Sequence, residues 1–286
     1  MTNPARIGVF RRDAEMKMKV LATDPKERFS NRVDDYVRYR PGYPRAIPDV
    51  LRDECGLVQE SIVADIGSGT GILTQLFLEN GNLVYGVEPN SAMRQAGEEF
   101  LRKYSRFRSV TGSAEASTLP DASVDLIVAG QAFHWFERAA SRREFAHILK
   151  PHGWLALIWN ERDVNSSAFM RDYELLLQRH GSDYLKVQHV YSEQAKLDEF
   201  FAPSEVRERE FQNRQVVNWD GMKGRLMSAS YAPKPGEAGY EAMLEDFEKL
   251  FAAHQNDGRV TIRYRTCLYW GRLEPQSDGI TGRKQE

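Results

Sequence analysis

Two cysteines in 286 residues, Cys55 and Cys267, are too few and too far apart for a disulfide framework or a metal-ligand spacing, and they read as reduced, packed thiols. No stretch approaches the ~18 apolar residues of a membrane span. The N-terminal region, with Arg11, Arg12, Asp13 and Glu15, lacks the apolar centre of a secretory signal. Neither sign of charge dominates, since 39 Lys and Arg against 41 Asp and Glu leave a net charge of -2, which argues against a nucleic-acid binder held by a basic surface. Internal repeats are absent. The remainder, 41% hydrophobic and 28% charged, is ordinary soluble globular composition, and the length suits one large α/β domain with an elaboration or two small domains. A cytoplasmic protein with no membrane and no nucleic-acid partner is expected.

Glycine, by contrast, is concentrated at one place. From Ile62 to Thr74 the chain reads I-V-A-D-I-G-S-G-T-G-I-L-T. The apolar run Ile62-Val63-Ala64 suits a buried strand, Gly67, Gly69 and Gly71 form a turn, and Leu73, Leu76 and Phe77 then recur at helical spacing until Asn80-Gly81. Glycines between a strand end and a helix N-terminus let the backbone approach a ligand, while the first helical turn offers N–H donors. A dinucleotide fingerprint needs a third glycine where Ile72 stands, which weakens the nicotinamide reading. Asp65, two residues before the loop, would repel a phosphate and attract an ammonium or sulfonium.

The segment D-I-G-S-G-T-G resembles motif I, (D/E)-x-G-x-G-x-G, of the class I S-adenosylmethionine-dependent methyltransferases. The resemblance covers Phe29 to Gly153 well and the rest loosely. It points toward small-molecule enzymes related to the trans-aconitate and ubiquinone/menaquinone methyltransferases. It implies a Rossmann-like, seven-stranded α/β sheet with helices on both faces, the last strand antiparallel, an N-terminal lid helix and a helical insertion after the fifth strand. Asp65, Gly67, Ser68, Gly69 and Gly71 would then carry the S-adenosyl-L-methionine loop.

Residues 1–27 read as a loose arm, and 28–60 as lid and lead-in helices. Val33, Tyr36, Val37 and Arg40 share a helical stripe that ends at Pro41-Gly42, and Ile47, Val50 and Leu51 mark a second helix before Gly56. The resemblance implies that Tyr36 and Arg40 face the methionine carboxylate and that Tyr39 and Tyr43 wall the pocket; simple packing of these tyrosines is equally compatible. The core, 61–162, continues with a strand from Leu83 toward Glu88 and Pro89. A carboxylate after a second strand can accept from both ribose hydroxyls, which is the role expected of Glu88, and Asn90 or Ser91 caps the next helix. A third strand, Phe107 to Thr111, leads to Ser113, Ala114 and Glu115, where the family usually has G-D-A-E over the adenine; Ser113 replaces that aspartate, so Ser113 or Glu115 would take the amino group.

A fourth strand, Val124 to Gly130, ends in Gln131-Ala132-Phe133-His134-Trp135-Phe136. By resemblance Gln131 approaches the methionine portion, with His134 and Trp135 toward the acceptor. His134 is a candidate general base or a loop-orienting residue, and Trp135 a wall or cation–π partner. L-K-P-H-G-W-L leads into a fifth strand, Trp154 to Trp159, with Asn160-Glu161-Arg162 at its end. Residues 163–204 read as a pocket-shaping insertion. Residues 205–273 bring a polar strand from Val206 to Val217, a helix capped by Asp220, a turn with Ser228, Ser230 and Tyr231, an amphipathic helix from Tyr240 and a last strand from Arg259; 274–286 is a solvated tail. The expected activity is in-line methyl transfer from S-adenosyl-L-methionine to a small-molecule acceptor, without a metal, giving S-adenosyl-L-homocysteine. An acceptor carboxylate could be held by Arg40, Arg162 or Arg225. A non-catalytic binding module, a nicotinamide oxidoreductase and an RNA methyltransferase stand as alternatives. Neither the acceptor nor the oligomeric state is encoded legibly.

Overall fold

The computed structural model describes residues 39–181, 194–229 and 231–273. Tyr36, Ser230, the two tails and most of the expected lid helix lie outside the described residues. Seven strands form one sheet: β1 (Ile62–Ile66), β2 (Leu83–Val87), β3 (Phe107–Val110), β4 (Val124–Gly130), β5 (Leu149–Arg162), β6 (Arg207–Asn218) and β7 (Arg259–Gly271), in the order β3-β2-β1-β4-β5-β7-β6. The first five run parallel, and β7 is antiparallel to both β5 and β6. This is the Rossmann-like arrangement expected from the sequence.

Among the described residues eight α-helices accompany the sheet: α1 (Ile47–Cys55), α2 (Ile72–Glu79), α3 (Ser91–Leu101), α4 (Arg138–Ile148), α5 (Ala168–His180), α6 (Gln194–Phe201), α7 (Trp219–Met227) and α8 (Tyr240–His254). The central strands are buried on both faces, which is why they read as apolar runs without alternation. On one face Ala64, Ile127, Leu155 and Leu157 pack against Phe145 and Ile148 of α4 and Phe200 and Phe201 of α6. On the other, Val63, Leu126, Val128 and Ile158 pack against Leu51 of α1 and Leu73 and Phe77 of α2. A third core joins α5, α7, α8 and the first half of β7 through Tyr173, Leu226, Phe247 and Tyr264. The late elements therefore extend the sheet and carry a core of their own.

Two details differ from the sequence reading. The fifth strand begins at Leu149, not Trp154, because Leu149 pairs with Val124 across a register shift before regular pairing resumes at Leu126–Trp154. It also runs through Asn160-Glu161-Arg162, which pair with Thr266, Arg265 and Tyr264. The cap of α7 is Asn218, whose extended backbone lets its side chain accept from Gly221 N; Asp220 lies within the first turn. Asn90 is the cap of α3, accepting from Met93 N.

Candidate active site

The glycine loop follows from the way β1 meets α2. Gly67, Gly69 and Gly71 all have positive φ, at 69°, 57° and 84°. At Gly67 a Cβ would also lie 2.7 Å from Ala132 Cβ, so the turn after β4 closes directly on this backbone. Gly67 N and Ser68 N donate to Val87 O at 2.9 and 3.1 Å, and Gly69 N donates to Glu88 Oε2 at 2.8 Å. The other Glu88 oxygen accepts from Asn90 N at 2.8 Å. Glu88 thus fastens the loop to the start of α3. Burial raises its pKa, opposed by the Asn90 and Gly69 N–H groups and by Arg94.

Under the loop, Asp65 is 1% exposed. Its Oδ2 accepts from the Thr74 hydroxyl at 2.6 Å, while Oδ1 is buried with no hydrogen-bond partner. Burial pushes its pKa up to about 7, with the Glu88 charge adding to the rise and the Thr74 hydrogen bonds opposing it. A carboxylate held this way favours a cation arriving from the cleft, because the cation would satisfy Oδ1 and offset the desolvation.

The cleft lies at the carboxyl ends of β1, β4 and β5, where ligands bind in open α/β sheets. It encloses about 510 Å³ of empty space, part of it open to solvent, between Asp65, Gly67, Ser68, Gly69 and Thr70 on one side and Arg40, Tyr43, Gln131, Asn160 and Arg225 on the other. Gln131 is locked in a left-handed conformation with φ 58°; its N donates to Ile158 O and its Nε2 to Asn160 O, both at 2.9 Å. Its buried Oε1 has no hydrogen-bond partner, nor has the buried Thr70 hydroxyl. Three acceptor-capable groups, at Asp65, Thr70 and Gln131, therefore border one space.

The segment leading into α1 forms the cleft's rim and is stitched to the antiparallel strands. Asn160 Nδ2 and Asn213 Nδ2 donate to Gly42 O at 3.2 and 2.9 Å, and Gln215 Nε2 donates to Tyr39 O at 2.9 Å. Arg40 Nη2 donates to Ser228 O at 2.9 Å, after α7. Gly224 leaves the space that the Tyr39 ring occupies.

Residues 64–157 match a family model described as a methyltransferase domain. Over these residues the chain carries a methyltransferase-type domain. It is 29% identical over 246 residues to an uncharacterized methyltransferase of Schizosaccharomyces pombe, covering 84% of this chain and 95% of that protein. Identity to an uncharacterized methyltransferase of Mycobacterium tuberculosis is 36% over 135 residues, 47% of this chain and 53% of the relative. Among solved structures, a type II methyltransferase from Anaeromyxobacter dehalogenans shares the fold, with a TM-score of 0.63 and 22% identity over 83% of this chain and 99% of that one.

Of the residues singled out in the sequence, the fold brings Arg40, Asp65, Gly67, Ser68, Gly69 and Gln131 together around the cleft. Gly71 caps α2 beneath it, and Glu88 and Pro89 lie behind the loop rather than in the lining. Ser113 and Ala116 exchange backbone hydrogen bonds, Ala114 is buried in the core, and Glu115 Oε1 accepts from Glu137 N at 2.9 Å. Glu115 therefore ties this loop to the start of α4. His134 and Trp135 sit in a 3-10 turn with ring centroids 4.7 Å apart, outside the cleft lining; Trp135 is 37% exposed. Among the described residues no cluster of three or more His, Cys, Asp or Glu side chains could hold a metal ion, and no helix is long and apolar enough to cross a membrane.

The side of the cleft lined by Arg40 and Arg225 is cationic. Arg225 is 6% exposed and its Nε donates to Tyr264 Oη at 3.3 Å. Arg162 Nη1 donates to Tyr231 Oη at 3.4 Å, and its Nη2 is 3.6 Å from Glu174 Oε2. Burial would raise the Tyr231 pKa, yet Arg162, Arg225 and Arg40 together bring it below the ordinary phenol value. The same burial opposes the charge of Arg225, but the phenols of Tyr264, Tyr173 and Tyr231 hold it firmly protonated. Thr70, Asn213 and Gln215 went unread in the sequence; only the alternation of polar residues along β6 hinted at the last two.

Proposed function

We propose that this protein binds S-adenosyl-L-methionine in the cleft and transfers its methyl group to a small-molecule acceptor, releasing S-adenosyl-L-homocysteine without a metal. A carboxylate or hydroxyl oxygen is the favoured acceptor atom, with N, S and C open. The observation that carries the reading is the buried Asp65, which lines the cleft beneath the glycine loop and whose Oδ1 lacks a hydrogen-bond partner. Such a group suits the methionyl ammonium and disfavours a pyrophosphate. The donor supplies an already activated methyl group on a sulfonium. What the protein contributes is alignment and exclusion of water, which suffice for much of the rate.

Within this reading Asp65 takes the ammonium and Arg40 the methionine carboxylate, with Tyr36 as a further contact. Gly67, Ser68, Gly69 and Gly71 shape the loop, Glu88 with Pro89 serves the ribose side, and Ser113 and Ala114 lie toward the adenine. Glu115 acts on that loop through its bond to Glu137 N. Gln131 orients the reacting end through its fixed Oε1. His134 and Trp135 are assigned to the acceptor side, with His134 as general base where the acceptor must lose a proton. The protein is placed in the cytoplasm, acting on a soluble acceptor with no nucleic-acid or membrane partner.

Calorimetric titration with S-adenosylhomocysteine and, in parallel, NADH tests the reading. Micromolar binding of the first alone is expected. Binding of NADH alone would make the glycine loop a dinucleotide site and end the methyl-transfer assignment.

A further inference from the structure

The two edges of the sheet are built differently. β3, at one edge, is four residues long, and so short an edge offers little backbone to another strand. β6, at the other edge, runs for twelve residues, all of them paired with β7 in one unbroken register. Its sequence, R-E-R-E-F-Q-N-R-Q-V-V-N, holds no proline and no glycine, its pairing shows no bulge, and among the described residues no strand lies beyond it. Of the devices that blunt an exposed edge, only charge is present.

Those charges are ordered. A strand that pairs with a copy of itself about a two-fold axis runs antiparallel, and the residue on the axis decides which side chains meet. With Arg209, Glu210 or Arg214 on the axis, like charges face each other, which is unfavourable. With Phe211 there, no like charges stand directly opposite: Glu208 of each copy meets Arg214 of the other, and the half-buried Phe211 meets its own mate. Gln212 on the axis would pair Glu210 with Arg214, although Glu210 Oε1 already lies 3.3 Å from Arg265 Nη1. Within the chain Arg214 stands opposite Arg263 across β6 and β7, a like-charged pair that a carboxylate on the open side of Arg214 would offset. Glu208 and Arg214 are both exposed.

We propose that β6 pairs antiparallel with β6 of a second copy of this chain, centred on Phe211 and locked on either side of it by Glu208–Arg214 contacts, so that two sheets become one continuous sheet. The interface is isologous, the same patch serving both copies. It borders the rim of the cleft, because Asn213 and Gln215 of the same strand donate to Gly42 O and Tyr39 O. Pairing thus steadies the strand that holds each rim.

Sedimentation velocity of the full-length protein across micromolar concentrations provides the test. The unaltered chain is expected to form a dimer. Glu208→Arg and Arg214→Glu should each raise its dissociation constant roughly tenfold or more, since either reversal turns two attractive contacts into two repulsive ones. An equimolar mixture of the two single variants should recover a heterodimer, because one then presents only cations and the other only anions at these positions; the double variant Glu208→Arg/Arg214→Glu should dimerise with itself. Amide hydrogen exchange of the unaltered protein needs no variant: protection over residues 208–214 should rise with protein concentration. A chain that stays monomeric throughout, or a dimer that neither reversal weakens, would overturn the proposal, the second by placing the interface elsewhere. Exchange in β6 that is independent of concentration would overturn it as well, and so would two weakened single variants with native circular dichroism that fail to associate when mixed.

Discussion

Replacing Asp65 by Asn should make the ligand-free protein more stable while abolishing its ligand affinity. The folded carboxyl titrates at about 7 against an ordinary aspartate value of 3.8, so the native state binds this proton more tightly than the unfolded chain does. Between those two pH values the native state therefore holds more protons, and stability falls as pH rises. At ~1.4 kcal/mol per unit, the loss amounts to about 4 kcal/mol once pH has passed the folded value. Asn keeps an oxygen for the Thr74 hydroxyl, now 2.6 Å from Oδ2, and carries no charge to desolvate. The variant should match the parent near pH 4 and exceed its melting temperature by roughly 5 to 10 °C at pH 8, given the entropy of unfolding of a chain this size. Thermal melts of both proteins across that range, paired with S-adenosylhomocysteine titrations at pH 8, provide the assay. Parallel pH dependences of the two melting temperatures would refute the electrostatic reasoning, and undiminished affinity in the variant would remove Asp65 from the ammonium.

Glu88→Ala should weaken S-adenosylhomocysteine binding by roughly 1 to 3 kcal/mol, since the carboxylate holds Gly69 N and Asn90 N and is proposed to serve the ribose; unchanged affinity by calorimetry would leave it a structural staple only. His134→Ala should lower turnover of a verified acceptor sharply while sparing donor affinity, and an unaltered rate would reduce His134 to a loop residue. Gly71→Ala places a Cβ 2.5 Å from Leu101 Cδ1 on backbone with φ 84°, so urea unfolding should show a loss of roughly 1 to 3 kcal/mol. A fully stable variant would mean that the start of α2 yields more readily than its packing indicates.

The parallel half of the molecule was legible because its signals are local. Strand runs such as Val124 to Gly130 and the glycine loop carry their conformation in a few adjacent residues, and burial on both faces of the sheet leaves no alternation to misread. Leu149 to Gly153 misled because Pro151 and Gly153 are turn residues, whereas the register shift at Val124 admits this irregular stretch as strand. Asp220 and Asn218 are both good cap types, and only the extended backbone at Asn218 decides between them. Arg225 could be named from its residue type. Its hydrogen bond to Tyr264, like the bonds from Asn213 and Gln215 to the rim, depends on elements far apart in sequence and had no local trace. Glu115 shows the converse, since its bond to Glu137 N could not be read from the motif around it.

The strand order sets a timetable for assembly. A nascent chain that has reached Arg162 already owns β1 to β5 and can close the glycine-loop side, leaving β5 as a temporary open edge. β6 emerges next with no neighbour to pair with, because its place is on the far side of β7. Only when the thirteen residues from Arg259 to Gly271 arrive do both β5 and β6 gain a partner at once, and only then does Tyr264 meet Arg225. Folding from the N-terminus thus builds one bank of the cleft early and the other in a single late step.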